Sequence, residues 1–377
     1  MGGIISIAMQ IKKIVILVDQ MHSHGGIERL VAIKANYWSD VFNFDVTIIC
    51  TEQEQKPIVY PLNQQVKIVD LAVNYIRNKS YFSLTNLVKL TKNVFGITRF
   101  IRKEKPDFVL VASHIPITYI LPFLPIKSKI IKEFHFTKFY RKDLSGFGPK
   151  LTRWIESKYD YLVCLSEDER HYQRTKNTVV IPNPIKYHTH DTIPLPKDKE
   201  NWVFAMVRFA PVKNLEAMIS IWNQFIQRNK SWKLHIFGSI GNDYYQHIVA
   251  KVEELKLSDS ILFMGETNDV RATCKKYKWM MMTSEQECFP MVILEANEAG
   301  VPVVSYDCPT GPRNIIHSGQ DGILVPMNQE ATFIIQMEQL IKHPDQLEAL
   351  AQKARENASY YALETVMEQW KQKIFNQ

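Results

Sequence analysis

The sequence predicts an α/β protein built of two Rossmann-like, doubly wound domains. Short β-branched runs alternate with segments of helical periodicity along almost all of the 377 residues, the pattern of parallel sheets covered by helices. A stretch rich in Pro, Lys, Asp and Thr, Lys186 to Asn201, interrupts that alternation once and reads as a linker. At 46% hydrophobic residues, the chain has material for two cores.

The first domain is expected over 1–185. Its first central strand runs from Ile11 to Val18 and is followed by the loop His22 to Arg29 and a helix to about Trp38. Gly25 and Gly26 remove Cβ atoms at this turn, which suits a plain tight turn or the close approach of a phosphate or sugar. The full Gly-x-Gly-x-x-Gly dinucleotide fingerprint is not there. Further strands are expected at Asp45 to Cys50, Val66 to Leu71, Phe108 to Ala112, Lys129 to Phe134, Tyr161 to Leu165 and Val179 to Ile181. His114 and His135 each follow a strand end, where an isolated histidine is more often structural than ligand-binding.

The second domain is expected over 202–358. A strand from Trp202 to Phe209 leads to an amphipathic helix from Asn214 to Asn229. Strands at Lys233 to Phe237, ending at Gly238, and at Ile261 to Met264, ending at Gly265, Glu266 and Thr267, alternate with helices at Tyr244 to Leu257 and Asp269 to Tyr277. Arg208 and Lys213 bracket the first strand–helix turn. Two cations there neutralise a diphosphate without a metal, Arg as a fork and Lys as a point charge; two solvated cations fit the spacing equally well. Residues 331–377 read as helices, the last from Tyr360 to Phe375.

The densest chemistry lies between a strand at Trp279 to Thr283 and another at Val301 to Tyr306. A turn, Ser284 to Phe289, enters a helix opening near Pro290, since proline is tolerated in a first helical turn. Glu287 stands in the turn and Glu295 about two helical turns on, so both are able to face the carboxyl ends of parallel strands, where doubly wound sheets bind ligands. The backbone N–H groups around Phe289, Pro290, Met291 and Val292 suit a phosphate. A surface pair of glutamates on an ordinary helix is the plainer alternative.

Composition narrows the partners. No apolar run reaches the roughly 18 residues needed to span a bilayer. Met1 to Ser6 matches the pattern of a myristoylation signal and reads as a leader or alternative start, with Met9 as the other start. Five cysteines without a Cys-x-x-Cys pair suggest neither a disulfide scaffold nor a zinc site, so a reducing cytoplasm is expected. The net charge of +7 is uneven: up to Ile185 there are 26 Lys and Arg against 16 Asp and Glu, and after it 20 against 23. The basic stretches Arg77 to Lys105 and Lys127 to Lys158 interleave cations with aromatic residues. Either a solvated face or contact with an anionic membrane surface fits them. Nucleic acid is not expected, because no nucleic-acid-binding motif accompanies the charge.

The stretch from Ser284 to Ala296, followed by Gly300-Val301-Pro302-Val303-Val304, resembles the Glu-x7-Glu signature of the retaining glycosyltransferases of family 4, with Cys288 where Gly is commoner. Gly25-Gly26-Ile27-Glu28, Ile181-Pro182-Asn183-Pro184, Arg208 to Asn214, Gly311-Pro312-Arg313 and Asp321 to Val325 resemble further elements of that family in order, with Asn314 where Glu is frequent. The resemblance implies the GT-B architecture, two such domains facing across a cleft, with residues 359–377 crossing back to the first. It implies retaining transfer of a hexose or N-acetylhexosamine from a UDP-sugar to a glycan or lipid-linked acceptor in bacterial surface polysaccharide synthesis. As the resemblance implies, Arg208 and Lys213 stabilise the leaving diphosphate, Glu295 holds the ribose, Glu287 orients the donor sugar, Glu266 and Thr267 flank the base, and His135 binds donor hydroxyls. Gly25 and Gly26 then let the first domain close on the diphosphate. With no Asp-x-Asp motif, no metal or other cofactor is expected, and the enzyme is placed in the cytoplasm or peripherally on the inner face of the membrane. A sugar-nucleotide epimerase of the same fold, a non-catalytic sugar-nucleotide-binding subunit and a glycogen-synthase-like polymerase are the alternatives.

Overall fold

Ile14 to Val18 of β1 (Lys13–Val18) are buried, as expected of a central strand that has a parallel neighbour on each side and whose crossover helices cover the faces of the sheet. The computed structural model describes residues 11–80, 83–137, 147–173 and 175–377. The expected leader at 1–8 and the aromatic residues Tyr81, Phe82, Phe139 and Tyr140 lie outside them.

Following β1 come α1 (Gly26–Asp40), β2 (Asp45–Cys50), β3 (Lys67–Asp70), α2 (Leu84–Glu104), β4 (Phe108–Val111), β5 (Lys129–Glu133), α3 (Phe147–Glu156), β6 (Tyr161–Cys164), α4 (Glu167–Gln173) and β7 (Thr178–Val180). The second series is β8 (Trp202–Met206), α5 (Leu215–Ile226), β9 (Lys233–Phe237), α6 (Asp243–Glu254), β10 (Ile261–Gly265), α7 (Val270–Cys274), β11 (Trp279–Met282), α8 (Met291–Glu298), β12 (Val303–Tyr306) and β13 (Gly322–Val325). Helices α9 (Glu330–Lys342), α10 (Pro344–Ser359) and α11 (Leu363–Trp370) follow.

The chain divides into two compact units: residues up to Leu165 with Arg170–Ile181 and Gln369–Gln377, and Ser166–Glu169 with Pro182–Glu368. In the first, the strand order is β3-β2-β1-β4-β5-β6-β7, all parallel. The order reverses between β1 and β4, and the Asp19 N–H just past β1 donates to Ser113 Oγ just past β4 at 2.9 Å. The last residues of the chain pack into this unit. The Phe375 ring lies 5.1 Å from those of both Trp38 and Phe108, and Lys129 Nζ donates to the Gln377 carbonyl at 2.7 Å.

In the second unit the order is β10-β9-β8-β11-β12-β13, again parallel. Here the reversal falls between β8 and β11, paired through Trp279 with Val203 and Met280 with Phe204. Trp222, Phe225, Trp232 and Trp279 fill its core, the last two with ring centroids 4.6 Å apart.

Several expected bounds need correction. The helix expected from Asn214 begins at Leu215, because Asn214 is left-handed at φ 49° and serves as the N-cap, accepting from Ala217 N. The helix expected over Asp269 to Tyr277 ends at Cys274; buried Tyr277 instead places its hydroxyl 2.8 Å from His235 Nδ1. Pro290 is not in the first turn of α8: its ψ of 102° is extended and makes it the cap. The strand from Trp202 stops at Met206, β13 adds an edge strand the periodicity had not marked, and the single helix expected over Tyr360 to Phe375 is α11 followed by a π-helical turn, Lys371–Phe375.

Candidate functional site

Because β8 and β11 are neighbours, the loops that leave their carboxyl ends emerge side by side at the reversal in strand order, the place where ligands bind in doubly wound sheets. Hydrogen bonds join the loops. Thr283 Oγ1 donates to the carbonyls of Lys213 at 3.1 Å and Asn214 at 3.0 Å, and Glu285 N donates to the Val212 carbonyl at 2.9 Å. Lys213 ends a 3-10 turn, Pro211–Lys213, and from there its ammonium reaches Glu287 Oε1 at 2.6 Å. The two side chains are only 19% and 11% exposed, so their mutual attraction is less screened by water than that of a surface pair.

Glu287 is gripped from behind. Thr310 Oγ1 donates to its carbonyl at 2.9 Å. A Cβ on Gly311 would stand 2.3 Å from the Glu287 Cβ, so only glycine fits there. Thr310 itself is buried at φ +68°, a costly conformation for a β-branched residue. Burial, with the Glu287 carboxylate next, pushes the Cys308 thiol up to about 12, so that sulfur stays protonated at neutral pH. Neither Thr310 nor Gly311 was singled out from the sequence as a site residue, although Gly311 opens the Gly311-Pro312-Arg313 element and Thr310 precedes it.

The next helix supplies the remaining part. Phe289 is buried with its ring 5.8 Å from that of Tyr361, Pro290 caps α8, and the N–H groups of Met291 and Val292 lie in the first turn, where helical geometry provides no acceptor and the dipole favours an anion. Glu295, half-buried one turn further, stands close enough to Cys274 that its carboxylate, after burial, raises that thiol.

The other expected residues of this unit follow β8, β9 and β10. Arg208 is exposed and carries no hydrogen bond or ion pair among the described residues. Gly238 follows β9, and a Cβ there would lie 2.1 Å from the Val207 carbonyl oxygen, so the glycine lets two strand-end loops meet. Glu266 is exposed after β10, while the Thr267 hydroxyl lies 2.8 Å from that of Thr273 and donates to the Asp269 carbonyl at 3.2 Å, holding the turn into α7.

The first unit carries Gly25, Gly26 and His135. Gly25 caps α1 under the Glu28 carboxylate, which accepts from Gln20 Nε2, and burial raises the Glu28 carboxyl. Around Gly26 no atom of the described residues, its chain neighbours and own helix backbone aside, lies within 4 Å of where a Cβ would be, so packing among them does not require that glycine. His135 is almost buried after β5, its Nε2 3.4 Å from Glu133 Oε2. Glu133 also receives the ammonium of buried Lys34 on α1; against the effect of burial, Lys34 and then His135 hold the Glu133 carboxyl below its ordinary range. Beside this group lies a cavity of about 310 Å³ lined by His114, Tyr119, Lys132, His135 and Glu156 among others. Lys34 and Glu133 were not among the expected residues; a lysine and a glutamate at buried positions of a helix and a central strand were the available signal.

Among the described residues no group of three or more His, Cys, Asp or Glu side chains is placed to hold a metal ion, and no helix is long and apolar enough to cross a membrane. Residues 24–189 match the model of glycosyltransferase family 4, and 188–357 that of the group 1 glycosyl transferases. The amylovoran biosynthesis glycosyltransferase of Erwinia amylovora is 25% identical over 370 residues, covering 95% of this chain and 98% of the relative. The lipopolysaccharide 1,6-galactosyltransferase of Salmonella typhimurium is 25% identical over 261 residues, 67% of this chain and 70% of the relative. Of solved structures, Anabaena HepE in complex with UDP superposes with a TM-score of 0.78 at 16% identity, covering 97% of this chain and all of that one, which places the fold in the GT-B class. Two parallel doubly wound sheets, and two family models that between them run from residue 24 to 357, make this chain a member of the group 1, family 4 glycosyltransferases.

Proposed function

We propose that the protein is a retaining glycosyltransferase that moves a hexose or N-acetylhexosamine from a UDP-sugar to a glycan or lipid-linked acceptor during bacterial surface polysaccharide synthesis. The observation that carries the reading is the Lys213–Glu287 pair next to the capped start of α8. A cation and a helix N-terminus beside a carboxylate suit a diphosphate joined to a polyol. The relative from Erwinia is named for amylovoran biosynthesis, that from Salmonella for galactose transfer to lipopolysaccharide, and HepE binds UDP, all in keeping with this substrate class.

In this reading Lys213 and the first-turn N–H groups of α8 stabilise the negative charge that grows on the diphosphate as the bond to the anomeric carbon breaks, a preorganised electrostatic role worth several kcal/mol. Arg208 adds a second cation. Glu287 orients the sugar hydroxyls, Glu295 accepts from the ribose hydroxyls, and Glu266 and Thr267 flank the base. His135 binds donor hydroxyls, and Gly26 leaves room for the diphosphate. The acceptor oxygen bonds to the anomeric carbon on the face the phosphate leaves, and its proton passes to the departing phosphate oxygen. No metal is required, and the reaction runs in the cytoplasm or at the inner face of the membrane.

The test is UDP release from a panel of UDP-, GDP- and ADP-sugars offered with glycan and lipid-linked acceptors, with the anomeric configuration of the product read by NMR. Release from UDP donors with the configuration kept supports the reading; an inverted product, or epimerisation of UDP-N-acetylglucosamine without acceptor, overturns it.

A further inference from the structure

We propose that the outer face of α2, together with α3, is a docking surface for an anionic phospholipid bilayer. This goes beyond the sugar-transfer reading and does not depend on it.

Helix α2 buries one side, through Asn86, Asn93, Ile97 and Ile101. The opposite side, which water ordinarily reserves for polar residues, carries Leu84, Val88 and Phe95 at 84, 71 and 69% exposure. At 3.6 residues per turn these three fall within about 40° of one another, and Arg99 and Arg102 continue the same stripe. Both arginines are exposed. Helix α3 adds Trp154, 51% exposed and stacked at 5.3 Å on the exposed Phe123 ring, with Lys150 and Arg153 exposed beside it. Both α2 and α3 pack against the short turn Pro116–Tyr119, so the two helices share one side of the sheet.

Apolar side chains lined up with Lys and Arg describe a helix lying in a membrane interface, with Trp at headgroup depth. The charge argues for lipid over a second copy of this chain. Helix α2 holds five cations, Lys89, Lys92, Arg99, Arg102 and Lys103, and one acid, Glu104, whose carboxylate is 3.3 Å from Lys103. The glutamate of α3 is buried against Lys132. Two copies paired through this face would set cation against cation, whereas an anionic leaflet attracts every one of them.

The full chain is sedimented with vesicles of phosphatidylcholine alone and of phosphatidylcholine mixed with phosphatidylglycerol. Binding is expected to the mixed vesicles only and to weaken as salt rises. Val88→Asp with Phe95→Asp, and separately Arg99→Glu with Arg102→Glu, should each lower the apparent affinity about tenfold or more. Ile335→Asp, exposed on α9, should bind like the parent. All variants alter exposed positions, so unchanged unfolding temperatures confirm that they are folded. Failure of the parent to bind mixed vesicles at low salt, or parental binding by the Val88/Phe95 variant, overturns the proposal. So does a parent that is dimeric by light scattering while that variant is monomeric, which would make the face a contact between copies.

Discussion

Lys213 and Glu287, 74 residues apart in the chain, meet at 2.6 Å with both side chains largely shielded from solvent. Lys213→Ala leaves the carboxylate without its counter-ion and takes a positive charge from the place where the diphosphate is proposed to leave. Turnover, followed as UDP release with acceptor present, is expected to fall about 10²–10³-fold, the usual loss for one preorganised electrostatic group. A loss below threefold would show that the pair only supports the loop.

Gly311→Ala puts a methyl 2.3 Å from the Glu287 Cβ and 3.2 Å from its backbone, so Glu287 has to move. We expect a stability loss of about 1–3 kcal/mol by chemical denaturation, as for other overpacked sites, together with weaker activity. Gly148→Ala, where no atom of the described residues beyond its own helix turn lies within 4 Å of the added methyl, is the control: activity should be unchanged and stability equal or higher by up to about 1 kcal/mol.

Glu295→Ala removes an acceptor proposed for the ribose hydroxyls. A hydrogen bond to a charged group is worth about 1.5–3 kcal/mol, so the dissociation constant for UDP by calorimetry should rise about tenfold to a hundredfold. Unchanged UDP affinity would remove Glu295 from the donor site.

The buried Lys34–Glu133 pair makes a stability prediction with a sign in pH. The folded Glu133 carboxyl lies below its ordinary value near 4.5, because Lys34 and His135 outweigh burial. Its contribution to stability is therefore present above about pH 4.5 and is lost as pH falls through the depressed folded value. Lys34→Met strands the carboxylate and should cost about 3–5 kcal/mol at pH 7. Burial then favours the protonated acid, so the deficit of this variant should narrow as pH falls towards 4. Urea midpoints of parent and variant across pH 4–7 measure it, and a constant gap would contradict the assignment.

The elements were legible where burial imposed a clear period. β2 and β9 lie at Asp45–Cys50 and Lys233–Phe237, the expected bounds, since β-branched or aromatic runs flanked by polar turns leave little choice. Bounds failed where a backbone detail decided them: the left-handed Asn214, the extended ψ of Pro290, and the break of the last helix at Trp370 and Lys371. Of the candidate site, residue types near strand ends were legible, and Lys213 and Glu287, both named there, are brought together by the fold. Thr310 and Gly311 were not, because their contacts with Glu287 depend on the approach of a loop more than 20 residues away.

The order of residues by itself determined that this chain forms strands and helices in alternation, a basic former half, and carboxylates and cations in turns after strands. Only the tertiary structure decided which turns adjoin. Side-chain period is a property of the local chain, whereas the adjacency of β8 and β11, and so of Lys213 and Glu287, follows from a strand order that skips β9 and β10. That order is selected by packing both faces of the sheet at once, a condition no single segment carries.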